Sequence, residues 1–147
     1  SASAASKTIS YNTTDWLEVD KKDYIELVCT SCDSNTIIAI FETKGLSFKS
    51  NYEYINFKTR VPHTTLKELR GNYPSLILNF EKVKIDNNDA VRFIYTLPSN
   101  NSYTVDEVNF YSKGIINTIS ASYYNEEVTF ADKQRIDNFY KSIKVIR

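Results

Sequence analysis

The sequence has few of the residues on which catalytic and ligand-binding motifs usually depend. Its three glycines lie far apart, so it has no glycine-rich phosphate-binding loop, and nucleotide chemistry is not expected. It has one histidine and two cysteines, whereas a zinc site needs about four protein ligands. No apolar run approaches the roughly 18–20 residues that cross a bilayer, so no transmembrane helix is predicted. We therefore expect a non-enzymatic protein without a metal or a cofactor.

Methionine is absent, including an initiator methionine, so we expect that the N-terminus arose by processing or truncation. Net charge is absent too, because 18 Lys and Arg balance 18 Asp and Glu. A balanced chain gives no overall electrostatic attraction to nucleic acid or to anionic lipid. We expect no nucleic-acid partner, and a membrane contact only through an anchor lost from the N-terminal side.

The composition is that of a folded domain. Hydrophobic residues make up 41% of the 147 residues and aromatic residues 14%, which is too apolar for a disordered chain. This length falls within the usual size of one domain. Residues 1–7 are rich in Ser and Ala and are interpreted as a flexible tether or an expression scar. Residues 8–147 are predicted to form a single domain.

The clearest predicted structure is a four-stranded meander. Its strands are Leu76–Ile85, Ala90–Leu97, Thr104–Tyr111 and Ile115–Tyr124, joined by short turns. In the first strand the apolar positions change parity near Glu81 and Lys82, which predicts a β-bulge. These connections are too short for parallel crossovers, so the sheet is predicted to be mainly antiparallel.

Shorter elements precede the meander. A first strand is predicted within Thr8–Tyr11, and Trp16 is predicted to be a core anchor rather than an exposed binding platform. Tyr24–Cys29 and Ile37–Thr43 are rich in β-branched and aromatic residues and predict a hairpin.

Two helices are predicted beside the sheet. One begins at Thr65 and ends before Pro74, and the other begins near Thr129 with capping-box spacing to Asp132. The second helix carries an apolar stripe that should pack on one face of the meander. That face is predicted to carry Val91, Phe93, Tyr95, Val108, Phe110, Ile115 and Ile119. The fold class is therefore α+β, a mainly antiparallel sheet flanked by helices.

The segment Leu46–Pro62 shows no sustained periodicity and is predicted to be a long connection with an edge strand near Tyr54–Phe57. It alternates basic and aromatic residues, a composition found in proteins that bind single-stranded nucleic acid or glycans. An amphipathic edge strand has the same composition, and we favour that interpretation. The candidate recognition surface nonetheless consists of Lys49, Tyr52, Tyr54, Phe57, Lys58 and Arg60.

The motif Cys29-Thr-Ser-Cys32 admits several interpretations. We favour a local disulfide or two unpaired thiols. A thioredoxin-like redox pair needs its first cysteine at a helix N-terminus, whereas Cys29 is predicted to end a strand. A metal site would need ligands from elsewhere. His63 could act as a general base only with a nucleophile supplied by the fold, and no nucleophile motif is present.

The order of these features resembles the family that includes the photosystem accessory protein PsbP, the Ran-binding protein Mog1 and the bacterial lipoprotein DcrB. The resemblance rests on Trp16, the early hairpin, Thr64–Leu69, Asp89–Tyr95, the strand end Ala121–Tyr124 and the closing segment Ser142–Val145. It implies an α/β/α sandwich and a secreted or lipid-anchored binding or assembly protein without catalysis.

The chain also departs from that family. Asp15 stands where a proline usually precedes the early tryptophan, and the Cys29/Cys32 pair is not a family feature. No functional residue carries over from the resemblance. We expect a non-catalytic, extracytoplasmic binding or accessory domain of a bacterial surface lipoprotein, with an unknown protein or cell-envelope partner. The alternatives are a small redox or metal-using protein built on Cys29 and Cys32, or an intracellular adaptor.

Overall fold

A computed structural model describes residues 8–45, 47–60, 77–97 and 102–147. In these ranges the chain forms nine strands and two helices. The strands are β1 (Ile9–Ser10), β2 (Trp16–Asp20), β3 (Ile25–Cys29), β4 (Ile37–Lys44), β5 (Ile77–Ile85), β6 (Asn88–Leu97), β7 (Tyr103–Ser112), β8 (Ile115–Tyr124) and β9 (Lys144–Val145). The helices are α1 (Asn51–Arg60) and α2 (Phe130–Ser142).

Seven strands form one antiparallel sheet in the order β2-β3-β4-β8-β7-β6-β5, and β1 pairs with β9 in a small second sheet. The predicted meander is confirmed as β5 to β8, and the predicted early hairpin is confirmed as β3 and β4. The predicted helix from Thr65 to Pro74, and His63 before it, lie outside the described residues.

Helix α2 covers one face of the sheet, and the main core lies between them. Thr129 caps this helix as predicted: its hydroxyl accepts the Asp132 backbone N–H, and the Asp132 side chain accepts the Thr129 N–H. The helix buries Ile136, Phe139 and Tyr140 against the sheet, and Ile143 follows them into the core. Sheet residues that share this core include Leu27, Ile38, Ile40, Val108, Phe110 and Ile119. The predicted packing stripe of the last helix is confirmed.

Helix α1 covers the opposite face, which makes the domain an α/β/α sandwich. Tyr54 and Ile55 of α1 form a second buried cluster with Val91 and Phe93 of β6. Two separate cores therefore lie on the two sides of one sheet.

The strand register contradicts the single apolar face that was predicted for the meander. Directly paired residues of antiparallel strands share a face, and Arg92, not Val91, is paired with Val108. Val91 and Phe93 consequently face α1, whereas Val108, Phe110 and Ile119 face α2. The prediction was wrong because the relative register of neighbouring strands is not encoded in the alternation of either strand alone.

The predicted β-bulge in β5 was also wrong. Pairing with β6 runs without interruption from Ile77 opposite Thr96 to Ile85 opposite Asn88. The change of parity has another cause: Phe80 lies against Phe93 on the α1 face, while Val83 and Ile85 contribute to the core on the α2 face. One regular strand thus places Phe80 on the α1 face and, further along, Val83 and Ile85 on the α2 face.

The lone tryptophan, Trp16, is 6% exposed and packs edge-on against Phe139 with ring centroids 5.8 Å apart. The prediction that it anchors the core is confirmed. Within the ranges that the structure describes, neither helix is long and apolar enough to span a membrane.

Candidate recognition surface

The segment predicted to contain an edge strand is instead the helix α1. Its start resembles a capping box, because Ser50 Oγ accepts the Glu53 backbone N–H at 3.2 Å. The acidic Glu53 lies in the first turn, and Lys58 and Arg60 lie in the last, as the helix dipole favours. The prediction failed because the buried face of α1 has only two large apolar residues, Tyr54 and Ile55, too few to produce a visible helical period.

Asn51 fixes the start of α1 to two strands of the sheet. Its side-chain amide donates to the Asp89 carbonyl of β6 at 2.7 Å. The side-chain oxygen of Asn51 accepts the Tyr111 backbone N–H of β7 at 2.9 Å. The Tyr111 hydroxyl in turn donates to the Phe48 carbonyl at 2.9 Å. These bonds hold both the helix and the segment before it at a defined position.

An aromatic cluster lies under the helix. The Tyr54 ring is 6.2 Å from the Tyr111 ring, and Phe48 packs edge-on against both tyrosines. Tyr54 is 2% exposed. Burial, together with the nearby Glu107 carboxylate, raises the pKa of Tyr54 well above its ordinary value. The inner side of α1 is therefore a packed, largely aromatic interface.

The outer side of α1 is polar and open. We define the α1 surface as Lys49, Tyr52, Glu53, Asn56 and Arg60, which line a shallow depression of about 550 Å³ together with Ser50. The Tyr52 side chain is 74% exposed. These residues follow the spacing of one helix face, opposite to the buried pair Tyr54 and Ile55.

The structure brings together only part of the predicted recognition set. Lys49, Tyr52 and Arg60 lie on the α1 surface. Tyr54 is in the core and is unavailable to a partner. Phe57 is 45% exposed at the side of the helix, where its ring packs against Phe48. Lys58 is half-buried, with its ammonium 5.6 Å from the centre of the Phe93 ring.

Two residues of the α1 surface, Glu53 and Asn56, were missed. Both are polar and belong to neither class of the alternating basic and aromatic pattern. The sequence did hold one usable signal, the Ser-x-x-Glu spacing of Ser50 and Glu53, which predicts a helix start. A helix that begins there places both residues on the same face as Lys49 and Arg60.

The second candidate site, the cysteine motif, contains a disulfide between Cys29 and Cys32, whose Cα atoms are 5.5 Å apart. Cys29 is the last residue of β3, and Cys32 lies in the turn that leads to β4. The first cysteine is thus at a strand end and not at a helix N-terminus. The bond links the two ends of a tight turn.

That turn is bound to the start of α2 through Asp132, which is fully buried. The Asp132 carboxylate accepts hydrogen bonds from the Asp33 backbone N–H at 3.0 Å and from Ser34 Oγ at 2.7 Å. It also accepts from the Thr129 backbone N–H at 3.2 Å and from Arg135 Nη1 at 3.0 Å. Burial by itself would raise the pKa of Asp132, but the bonds from Ser34, Asp33 and Thr129 outweigh it, and the pKa is lowered.

Replacement of Asp132 by asparagine is expected to cost about 1–3 kcal/mol at pH 7, because hydrogen bonds to the buried charge are lost. Since the folded-state pKa is lowered, the stabilisation by the wild-type carboxylate is present above about pH 4, the ordinary Asp range, and is lost as the pH falls through the folded-state value. Urea denaturation across this pH range should show that the difference in free energy of unfolding between wild type and Asp132→Asn decreases as the pH falls. Asp23→Asn, at an exposed position, is the control. A difference between wild type and Asp132→Asn that does not change with pH would contradict the stabilising role of the Asp132 carboxylate.

The described ranges contain no group of three or more His, Cys, Asp or Glu side chains that could hold a metal ion. The single candidate general base, His63, lies outside these ranges. Of the candidate sites predicted from the sequence, the α1 surface retains three exposed members side by side, Lys49, Tyr52 and Arg60.

Comparison with known proteins identifies the fold. No sequence-family model and no curated protein sequence matches the chain. The structure is similar to the crystal structure of LpqN, a protein involved in cell envelope biogenesis of Mycobacterium tuberculosis, with a TM-score of 0.61 and 13% identity over 99% of this chain and 87% of LpqN. It is also similar to the solution structure of cyanobacterial PsbP (CyanoP) from Synechocystis sp. PCC 6803, with a TM-score of 0.57 and 14% identity over 99% of this chain and 98% of that protein.

A third similar structure, from Bacteroides thetaiotaomicron, has a TM-score of 0.55 and 15% identity over 95% of this chain, but the match covers 45% of that longer chain. At these identities the similarity shows the fold and does not carry function. The α+β, PsbP-like fold expected from the sequence is confirmed.

Proposed function

We propose that this protein is a non-catalytic binding or accessory domain that acts outside the cytoplasm of a bacterium, carried by a surface lipoprotein, and that it contacts a cell-envelope partner through the α1 surface. The observation that carries the proposal is the contrast between the two sides of α1. Its inner side is fixed to β6 and β7 by Asn51 and by the buried Tyr54. Its outer side displays Tyr52, Lys49 and Arg60 to solvent.

A rigid support with exposed aromatic and cationic side chains is what a recognition surface requires. Binding energy at interfaces is concentrated in tyrosine, tryptophan and arginine. Because α1 is already held in place, the entropic cost of ordering these side chains when a partner binds is lower. The α1 surface therefore combines suitable residues with a suitable support.

Two further observations support the compartment. The chain contains a disulfide between Cys29 and Cys32, and such bonds persist mainly in oxidising compartments outside the cytoplasm. One protein of the same fold, LpqN, is involved in cell envelope biogenesis. A thiol-redox function gains less support, because Cys29 ends a strand, where no helix dipole lowers a thiol pKa.

The test is co-sedimentation of the purified full chain with bacterial envelope fragments. We expect the wild type to sediment, and the double variant Tyr52→Ala/Arg60→Gln to lose binding by about tenfold or more, because it removes the ring and one cation from the α1 surface. The matched control is Phe130→Ala/Lys21→Gln, which removes a 78% exposed ring on α2 and an exposed lysine near β2. Equal sedimentation of the two double variants, or native protein found in the cytosol, would contradict the proposal.

A further inference from the structure

The cations of the α1 surface are not neutralised within the described part of the chain. Neither Lys49 nor Arg60 forms a salt bridge with a described carboxylate. Arg60 donates its Nε to the Asn56 carbonyl at 3.2 Å, which orients the guanidinium and leaves its two terminal nitrogens without a described partner. Among the described residues, these two positive groups therefore have no ion-pair partner and can meet a ligand at this surface.

The same surface offers hydrogen-bond acceptors and donors suited to hydroxyl groups. One oxygen of the Glu53 carboxylate accepts the Lys49 backbone N–H at 3.2 Å, and the other has no partner in the described ranges. The side-chain amide of Asn56 likewise has none there. A carboxylate and an amide that lie beside each other can bind neighbouring hydroxyls, the carboxylate as acceptor and the amide as both donor and acceptor.

The Tyr52 ring supplies an apolar platform at the edge of these polar groups. From Tyr52 to Arg60 the helix advances by about 12 Å at 1.5 Å per residue, which is the length of a short oligosaccharide. A sugar ring has an apolar C–H face that packs on an aromatic ring, with hydroxyls around its edge. The α1 surface presents the complementary arrangement of ring, hydroxyl-binding groups and cations.

From this geometry we infer that the α1 surface binds a saccharide chain that carries anionic groups. Tyr52 packs against a sugar ring, Glu53 and Asn56 bind hydroxyls, and Lys49 and Arg60 bind the carboxylate or phosphate substituents. The inference rests on the proposed function and names the ligand class of the same surface.

The charge pattern favours a saccharide over single-stranded DNA and over an anionic membrane. Single-stranded DNA is bound along a continuous positive groove with several stacked aromatic rings, whereas Glu53 interrupts the positive charge here and the α1 surface as defined holds one ring, that of Tyr52. DNA also has no sugar hydroxyl along its backbone to donate to Glu53. An anionic membrane surface calls for a cluster of lysines and arginines, and the α1 surface has two cations and one carboxylate.

The test is isothermal titration calorimetry of the full chain with four probes: an acidic oligosaccharide from polygalacturonate, neutral maltohexaose, poly(dT), and phosphatidylglycerol vesicles. We expect the acidic oligosaccharide to bind tightest, with affinity that falls as salt is added. Tyr52→Ala should weaken that binding by about tenfold, and Tyr52→Phe should retain most of it because the ring remains. Arg60→Gln should weaken binding of the acidic oligosaccharide and leave the weaker binding of maltohexaose unchanged.

Phe130→Ala and Lys21→Gln are the controls and should bind as the wild type does. The inference is overturned if neither oligosaccharide binds, if Tyr52→Ala binds as well as the wild type, or if poly(dT) or the vesicles bind more tightly than the acidic oligosaccharide. A different outcome is that the wild type binds neither oligosaccharide while the α1 variants still lose co-sedimentation with the envelope. In that case the saccharide inference fails and the proposed function stands. If the oligosaccharide binds and envelope co-sedimentation does not depend on the α1 surface, the proposed function fails.

Discussion

Replacement of Arg92 by alanine is expected to destabilise the fold by about 3–5 kcal/mol, because it leaves a buried carboxylate without its counter-charge. Arg92 Nε donates to Asp106 Oδ1 at 2.8 Å, Nη2 donates to Asp106 Oδ2, and Nη2 also reaches Asp137 at 3.2 Å. The Asp106 side chain is 7% exposed. The hydrogen bond with Asp106 raises the pKa of Arg92 above its ordinary value, so the guanidinium remains charged.

The position of Arg92 makes this loss affect the packing of α2 on the sheet. Its guanidinium lies 5.3 Å from the centre of the Tyr140 ring of α2, and the Tyr140 hydroxyl donates to the Asp106 carbonyl at 2.6 Å. One arginine thereby joins β6, β7 and α2. A loss of 3–5 kcal/mol is large against the roughly 5–15 kcal/mol by which folded domains are usually stable.

Urea denaturation at pH 7 measures the effect, and two further variants identify its cause. Asp137→Asn removes the more exposed partner, whose side chain is 42% exposed, and should cost less than about 1 kcal/mol. The double variant Arg92→Met/Asp106→Leu removes both buried charges and should recover much of the lost stability. If Arg92→Ala costs no more than Asp137→Asn, the buried pair is not the element that joins helix to sheet.

Truncation of Phe139 to alanine should also cost about 3–5 kcal/mol, because it leaves a cavity in the main core. Phe139 is 2% exposed. Its ring centroid lies 5.2 Å from that of Tyr11 and 5.8 Å from that of Trp16. The phenylalanine therefore packs the N-terminal part of the chain against α2, far from it in sequence.

The same helix provides a control of the same residue type. Phe130 is 78% exposed in the first turn of α2, and Phe130→Ala should change the free energy of unfolding by less than about 0.5 kcal/mol. Thermal and urea denaturation of both variants give the comparison. In hydrogen exchange, Phe139→Ala should also reduce protection of β2. Similar losses from the two substitutions would show that the α2 core does not carry the stability assigned to it.

The elements that the sequence predicted well are those with a strong local signal. The meander strands alternate clearly and are bounded by turn residues, and β5 to β8 lie within a residue or two of the predicted limits. The capping of α2 by Thr129 needs only residues three apart. The failures, at α1, at the bulge and in the shared face of the meander, occurred where the apolar pattern is weak, where apolar residues of one strand lie on both faces, or where the outcome depends on strand register.

The candidate site was predicted in its location and only partly in its composition. The segment between β4 and β5 was selected from its basic and aromatic residues, and Lys49, Tyr52 and Arg60 do lie together on the α1 surface. Tyr54 was assigned to the same surface but is in the core. Residue composition does not distinguish Tyr52 from Tyr54, because the helical period decides which residues share a face.

The sequence by itself determined the fold class, the antiparallel meander and the absence of a glycine-rich phosphate-binding loop, because each of these depends on residue types and short spacings along the chain. Only the tertiary structure decided the strand register, which sends Val91 to the α1 face and Val108 to the α2 face. It alone decided that Arg92, Asp106 and Asp137 meet, and that α1 turns Tyr54 inward and Tyr52 outward. These outcomes depend on contacts between residues distant in sequence, and their energies arise only once the chain has packed.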